Sequence, residues 1–207
     1  MKQMFSRFTS NIAISNRIIA DSDTIHLSRN MPDKLRALMA QLGGSSLDNG
    51  LYRVHTFSSS YYWESIIGNY FAAYKDKICP FSFDWMGRQF ALDLKTPDRI
   101  LMFDPATAED FLLNESLEVF HNETLVDDRL ETLAEDNFLE ALKSLKKPRI
   151  NFDQCIGYKK PLFLGGVDSF ENYEVADLEV YWDIQSQIYH QIKNLPPGTK
   201  INSVSFE

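Results

Sequence analysis

The sequence has few of the residues from which metal and redox sites are built. Cys79 and Cys155 are its only cysteines and form no CxxC pair. Two cysteines fit a reducing compartment and are weak grounds for a disulfide. The four histidines are scattered, and none has a second histidine or a cysteine at ligand spacing. We therefore expect neither a bound metal nor a cofactor.

Long apolar runs are also missing. The uninterrupted apolar stretches are only a few residues long, whereas about 20 residues are needed to cross a bilayer. The N-terminal 23 residues lack the continuous apolar segment of a secretory signal. The expectation is a cytoplasmic protein with no membrane partner. Its 207 residues, 44% of them hydrophobic, suffice for one large domain or two small ones.

Basic residues are in the minority, and the acidic ones are clustered. The net charge is −8, which argues against nonspecific nucleic-acid binding, because such binding depends on Lys and Arg contacts to phosphate. From Asp104 to Glu140, Arg129 is the one basic residue among twelve acids. This stretch is either a solvated helical face or a docking surface for a basic protein, since complementary charge guides encounter.

Motifs for phosphate binding or catalysis do not assemble. The Walker pattern and the GxGxxG fingerprint are absent. A reactive Cys155 would need a base or a helix N-terminus beside it, so a buried structural cysteine is the better interpretation. Adjacent carboxylates such as Asp127–Asp128 point in different directions on a helix, which favours surface solvation over a cation site. No catalytic residue is predicted.

Periodicity divides the chain into helices and a run of strands. Leucines at helical spacing predict a helix over 31–44, ended by two glycines. A strand is predicted at 50–57, followed by a helix that begins near Tyr61 and is capped by one of the preceding serines. Residues 77–114 alternate with period two between turn residues, which indicates an antiparallel meander.

After residue 114 the chain is predicted to be helical, except for residues 148–175, which are mostly loop or short strand. Helices are predicted at about 133–145 and 176–193. Five apolar residues of the last helix are expected to face the core: Leu178, Trp182, Ile184, Ile188 and Ile192. The predicted fold class is α+β, with an antiparallel sheet of about four to six strands flanked by helices and a C-terminal helical segment packed on it.

An aromatic stripe on the helix near 61–74 leaves two alternatives open. Trp63, Ile67, Tyr70 and Tyr74 recur at helical spacing. The stripe is either core packing or a partner-binding aromatic face.

The stretch 155–166, CIGYKKPLFLGG, is interpreted as structural. Gly157 and the Gly165–Gly166 pair permit turn conformations closed to other residues. Pro161 keeps the preceding residue extended. The apolar residues between them would pin the loop to the core before the last helix begins.

This same region carries a family resemblance. Residues 155–188 resemble the C-terminal domain of the Tdi-type immunity proteins of type VI secretion systems. The upstream segments MPDKL, FDWMGRQFALDL and ILMFDPATAEDF resemble the GAD-like domain often fused to it. The matching residues are regarded as fold determinants, not toxin contacts: Cys155, Gly157, Tyr158, Leu162–Gly166, Glu171 and Asn172.

The resemblance implies a domain arrangement and a function. It implies a GAD-like α+β domain at 1–147, including the N-terminal helical region, and a Tdi-type C-terminal domain at 148–207, or one compact unit. Such proteins belong with the SUKH-type immunity class, which are α+β domains without enzyme activity. The implied role is an antitoxin that binds a cognate toxin, nucleases being among the family toxins.

Charge clustering nominates where a basic toxin would dock. The predicted toxin-binding residues are Glu123, Asp127, Asp128, Glu131, Glu135 and Asp136. Two alternatives remain: a non-catalytic regulatory or scaffold protein of SUKH type, and a metal-dependent hydrolase that uses the acidic cluster.

Overall fold

The chain is built on a seven-stranded antiparallel meander. The computed structural model describes residues 4–18, 31–196, 198–201 and 203–206. Within them, neighbouring strands in the sheet are also neighbours along the chain. The strands are β1 (Ile14–Arg17), β2 (Ser45–Leu47), β3 (Tyr52–Val54), β4 (Ile78–Asp84), β5 (Gln89–Asp93), β6 (Thr96–Asp104) and β7 (Glu109–Leu113). A separate hairpin pairs β8 (Gln154–Tyr158) with β9 (Tyr173–Asp177).

Helices cover both faces of this sheet. They are α1 (Ser6–Asn11), α2 (Asp33–Leu42), α3 (Phe57–Tyr70), α4 (Leu117–Val119), α5 (Leu125–Asp127), α6 (Arg129–Thr132), α7 (Glu135–Ser144) and α8 (Leu178–Ile192), with a π-helical turn at Phe120–Thr124 between α4 and α5. No described helix combines the length and hydropathy needed to traverse a bilayer.

Strand alternation separates two hydrophobic cores. On β5, Phe90 and Leu92 belong to the core that contains α1, α2 and the helices after β7. Ala91, between them, belongs to the core formed with α3 and α8. Successive side chains of a strand point to opposite faces, so the central strands are buried on both sides.

Arg53 joins the sheet to the C-terminal part of the chain. Its side chain is fully buried and donates to the backbone carbonyls of Asp84, Asn151 and Gln154. The guanidinium carbon lies 4.4 Å above the Phe83 ring centroid. Burial lowers the pKa of Arg53 to about 10, so the side chain stays charged at neutral pH.

The turn after β4 extends this junction. The buried Asp84 carboxylate binds Arg88 through an N···O distance of 2.5 Å and also accepts from the backbone N–H of Met86. Arg88 in turn donates to the carbonyl of Thr132, at the end of α6. We call Arg53, Asp84 and Arg88 the Arg53 junction. It ties the sheet to the α6–α7 region and to the β8–β9 hairpin.

Two buried tryptophans reinforce the same turn. Trp85 Nε1 donates to the carbonyl of Leu133 at 2.6 Å, and Trp182 of α8 donates to the carbonyl of Gly87 at 2.7 Å. The Trp85 carbonyl accepts from the backbone N–H of Ile156 on β8. The DWMGR turn therefore holds two helices and the hairpin against the end of β4.

The α+β class and the antiparallel meander are confirmed, with corrections of detail. The main sheet has seven strands, where four to six were predicted, because the short strands β1 and β2 extend the meander at one edge. Helix α3 begins at Phe57, and its N-cap is Thr56, which forms a reciprocal capping box with Ser59.

Two expectations about side-chain burial have opposite outcomes. The aromatic stripe of α3 lies in the core: Trp63, Ile67 and Tyr70 are all buried. Ile184 of α8, predicted to face the core, is instead 37% exposed. The residues 19–30 of the N-terminal region lie outside the described residues, whereas α1 and β1 belong to the fold.

Two buried histidines carry fixed tautomers. His121 Nδ1 lies 2.8 Å from the carbonyl of Leu117 and must donate to it, and Nε2 lies 3.0 Å from the hydroxyl oxygen of Tyr52. His55 Nε2 donates to Gln89 Oε1 at 2.8 Å. Burial lowers the pKa of His121 to about 4 and that of His55 to about 3. Both rings are neutral in the folded protein.

These histidines predict acid sensitivity of the fold. Their pKa values lie below the unfolded value of 6.5. Below pH 6.5 the unfolded state therefore binds more protons than the folded state, and the folded state loses stability. Between pH 6.5 and 5 each should remove about 1.5 kcal/mol from the free energy of unfolding, which urea denaturation would measure. His121→Asn should lose about half of this pH slope. A free energy that is constant between pH 7 and 5 would contradict the neutral-histidine assignment.

Candidate functional site

The predicted acidic residues lie on one run of short helices after β7. The apolar side of this run packs into the core through Phe120, Leu125, Leu133 and Phe138. The opposite side of the helices therefore faces solvent. We call that outward side the acidic face. It carries all six carboxylates nominated from the sequence: Glu123, Asp127, Asp128, Glu131, Glu135 and Asp136.

Two of the six carboxylates already have partners within the protein. Asp127 receives both terminal nitrogens of Arg7, at 2.7 and 2.5 Å, and the hydrogen bond from Arg7 lowers the pKa of Asp127. Glu135 accepts from Arg129 Nε at 2.9 Å, and Arg129 also binds Asp48 at 2.7 Å. The Arg7–Asp127 and Arg129–Asp48 pairs anchor α5 and α6 to segments more than 80 residues earlier in the sequence.

The other four carboxylates face solvent. All four residues are exposed, and their carboxylate oxygens make no hydrogen bond or ion pair with any residue that the structure describes. Glu123 acts on Arg7 through its charge, without a direct pair. The four carboxylates are the part of the acidic face that is free to meet a basic partner.

The acidic face does not form a cation site. Among the described residues, no three His, Cys, Asp or Glu side chains are grouped closely enough to hold a metal ion. Asp127 and Glu135 are each committed to an arginine. The structure therefore gives no support to the alternative of a metal-dependent hydrolase built on this cluster.

Cys155 and Gly157 form the contact between the hairpin and α8. The thiol of Cys155 is fully buried, and burial raises its pKa well above the ordinary range, so it does not act as a nucleophile at neutral pH. A Cβ on Gly157 would lie 2.5 Å from the ring of Tyr181. Only glycine lets α8 approach β8 this closely.

The loop between β8 and β9 is closed by Asn172. Its amide accepts from the backbone N–H of Lys160 and donates to the carbonyls of Lys160 and Val167, all at 2.9–3.0 Å. A Cβ on Gly166 would meet the Lys160 carbonyl at 2.1 Å. The pair of contacts explains why a glycine and an asparagine occur at these positions.

The remaining motif residues complete the same loop. Tyr158 and Tyr173 both donate to Asp168 Oδ1, each at 2.8 Å. Gly165 ends a short 3₁₀ turn with φ +76°, a conformation that favours glycine. Glu171 contributes its backbone carbonyl, which accepts from Lys159 Nζ, while its carboxylate stays exposed. The stretch 155–166 is thus most of strand β8 followed by the first part of a loop that these hydrogen bonds hold in place.

Sequence reasoning missed the partners of the acidic face. Arg7, Asp48 and Arg129 set which carboxylates are paired, but Arg7 and Asp48 lie far from the acidic run in the chain. No local pattern indicates such a pairing. The sequence shows only that distant segments carry opposite charges, and this does not indicate which arginine pairs with which carboxylate.

Comparison with known proteins places the C-terminal part of the chain in a family. Residues 114–189 match the family described as T6SS immunity protein Tdi1, C-terminal, which confirms the predicted resemblance. The likeness to that family concerns this region, which is less than half of the chain. The match begins upstream of the predicted boundary near Pro148. The domain division and the GAD-like character of residues 1–147 stay predictions.

One solved structure shares the fold over most of the chain. The crystal structure of Atu4351 from Agrobacterium tumefaciens is 16% identical, with a TM-score of 0.65 over 88% of each chain. At this identity the likeness concerns the fold. Comparison with curated proteins gives no match.

The contact between Gly157 and Tyr181 makes a prediction about stability. Gly157→Ala should lower the free energy of unfolding by about 1–3 kcal/mol, because the added methyl group overlaps a buried ring. Urea denaturation measures the loss. In a Tyr181→Leu background the same substitution should cost less, since the ring is gone. Equal costs in both backgrounds would show that the ring is not the constraint.

Proposed function

We propose that this chain is a cytoplasmic immunity protein that neutralises a cognate secreted toxin by stoichiometric binding, without catalysis. The observation that carries the proposal is the match of residues 114–189 to the Tdi1 C-terminal family. That region contains the acidic face, the β8–β9 hairpin and most of α8.

The placement of the perturbed titratable groups favours binding over chemistry. Groups with strongly shifted pKa values often mark active sites when they line a cleft. Here His55, His121 and Cys155 are shifted because they are fully buried in the two cores. A catalytic group must reach its substrate, and these three cannot.

The acidic face supplies the docking chemistry that we propose for the toxin. A toxin that acts on nucleic acid presents a basic cleft, since its substrate is a phosphate chain. The four unpaired carboxylates of the face would occupy positions of phosphate groups in that cleft. The net charge of −8 would speed the encounter at low ionic strength.

Arg7 and Arg129 would set the geometry of this face. Each arginine holds a helix through a carboxylate, Asp127 on α5 and Glu135 on α7. The Arg7–Asp127 pair is about half-exposed, and exposed pairs contribute little to stability. Their value here is positional, because they fix the short helices that display the four free carboxylates.

A rescue experiment tests the function. The product of the adjacent gene, the expected toxin, is expressed alone and together with this chain, and a tagged copy of the chain is used for copurification. Survival on co-expression, with a stable complex, is the expected result. If the product of the adjacent gene is toxic, but co-expression gives no survival and no complex is copurified, the regulatory or scaffold alternative is favoured.

Charge reversal on the acidic face tests the docking mode. The double variant Asp128→Lys with Glu131→Lys should weaken binding to the toxin about tenfold or more and flatten its salt dependence, because it replaces attraction by repulsion. Isothermal titration at two salt concentrations measures both effects. The control, Asp98→Lys with Glu109→Lys, changes the net charge equally at exposed positions on β6 and β7. Equal losses in the two variants would mean that only overall charge matters.

A further inference from the structure

A groove runs between the outer edge of β9 and helix α8. Its volume is about 400 Å³. Val175 and Ala176 line it from β9, and Val180, Ile184 and Ile188 line it from α8. Val180 is 54% exposed and Ile184 is 37% exposed, so two branched apolar side chains of α8 stand in solvent at its wall.

The edge of β9 that borders the groove has unpaired backbone groups. In the described residues β9 pairs with β8 alone. The backbone N–H of Lys159 donates to Asn172, and that of Leu178 donates to Asp153. Hydrogen-bonded and non-hydrogen-bonded pairs alternate along an antiparallel ladder, so the Ile156–Val175 pair is a non-hydrogen-bonded one. The N–H and C=O of Val175 therefore point away from β8. The equivalent outward N–H on β8, that of Ile156, is taken by Trp85. No described backbone group pairs with Val175.

A buried acceptor without a partner lies in the same groove. Gln185 of α8 lines it and is only 2% exposed. Its Oε1 has no hydrogen-bond partner among the described residues. A buried polar atom left in this state destabilises the free protein, and an N–H donor from an incoming chain would satisfy it.

The charge around the groove selects a basic occupant. From Pro161 to Ile192 the sequence has no Lys or Arg. Its carboxylates in that interval are Asp168, Glu171, Glu174, Asp177, Glu179 and Asp183. Glu174 and Asp177 line the groove itself, and Lys159 is the one basic side chain that does. Complementary charge therefore favours a segment that carries Lys or Arg.

We propose that the β9–α8 groove binds an extended basic segment of the toxin, which pairs with Val175 as a third strand of the hairpin. Strand addition supplies affinity through backbone hydrogen bonds, and the groove supplies selectivity for apolar side chains. This inference rests on the proposed function, because it names a second surface, apart from the acidic face, by which the same partner is held.

Arginine substitutions in the groove wall test the proposal. Val180→Arg with Ile184→Arg should weaken the complex with the purified product of the adjacent gene at least tenfold, through lost apolar contact and charge repulsion. Both side chains are exposed, so the variant should fold. The matched control is Phe111→Arg with Leu112→Arg, two residues of similar exposure on the edge strand β7, and it should bind as wild type does.

Gln185→Leu is a second test, because it should change the stability of the free chain and its affinity for the toxin in opposite directions. The substitution removes the unpaired acceptor and should raise the Tm of the free chain, while it lowers affinity for the same partner by about tenfold. A purely structural role would move stability and affinity in the same direction. Amide exchange adds a direct observation: the Val175 N–H should become protected only in the complex.

The outcomes separate this proposal from the proposed function. If wild type binds the product of the adjacent gene and the groove variant binds equally well, the groove proposal is wrong and the immunity function stands. If wild type does not bind, both are wrong. A homodimer of the free chain that the groove substitutions dissociate would identify a second copy as the occupant, and that would also overturn the proposal.

Discussion

The contact between the buried guanidinium of Arg53 and three backbone carbonyls is the constraint on which the rest of the structure depends. Asp84 ends a sheet strand, whereas Asn151 and Gln154 lead into the hairpin that carries α8. A buried charge is tolerated only when it is well hydrogen-bonded, and removal of its partners is strongly destabilising. The start of the β8–β9 hairpin is therefore fastened to the end of β4 through this one side chain.

The same junction explains why the exposed surfaces are well placed. Arg88 reaches from Asp84 to the end of α6, and Trp85 donates to the carbonyl that follows it. Trp182 fixes α8 against the turn. The acidic face and the β9–α8 groove are thus displayed on elements anchored to one turn, which limits the conformational entropy that binding would cost.

Sequence patterns predicted the parts of this fold that depend on local periodicity. Helix α2 and the α3 stripe follow from spacing, because burial on one face of a helix imposes a period, and the meander follows from short strands separated by turn residues. Ile184 departs from its prediction because it stands at the wall of the β9–α8 groove, where no described element covers it. The pairs Arg7–Asp127 and Arg129–Asp48 depend on the tertiary fold, which no local pattern specifies. Gly157 was identified as structural, but its reason, the ring of Tyr181, lies on another element.

Stoichiometry tests most directly the claim that the protein neutralises its toxin by binding. Increasing amounts of the purified chain are added to a fixed amount of active toxin, and the remaining toxin activity is measured at once and after prolonged incubation. The account predicts a linear fall to zero at a fixed ratio of the two proteins, unchanged with time. Complete inactivation by a small fraction of an equivalent, growing with time, would show turnover and contradict it.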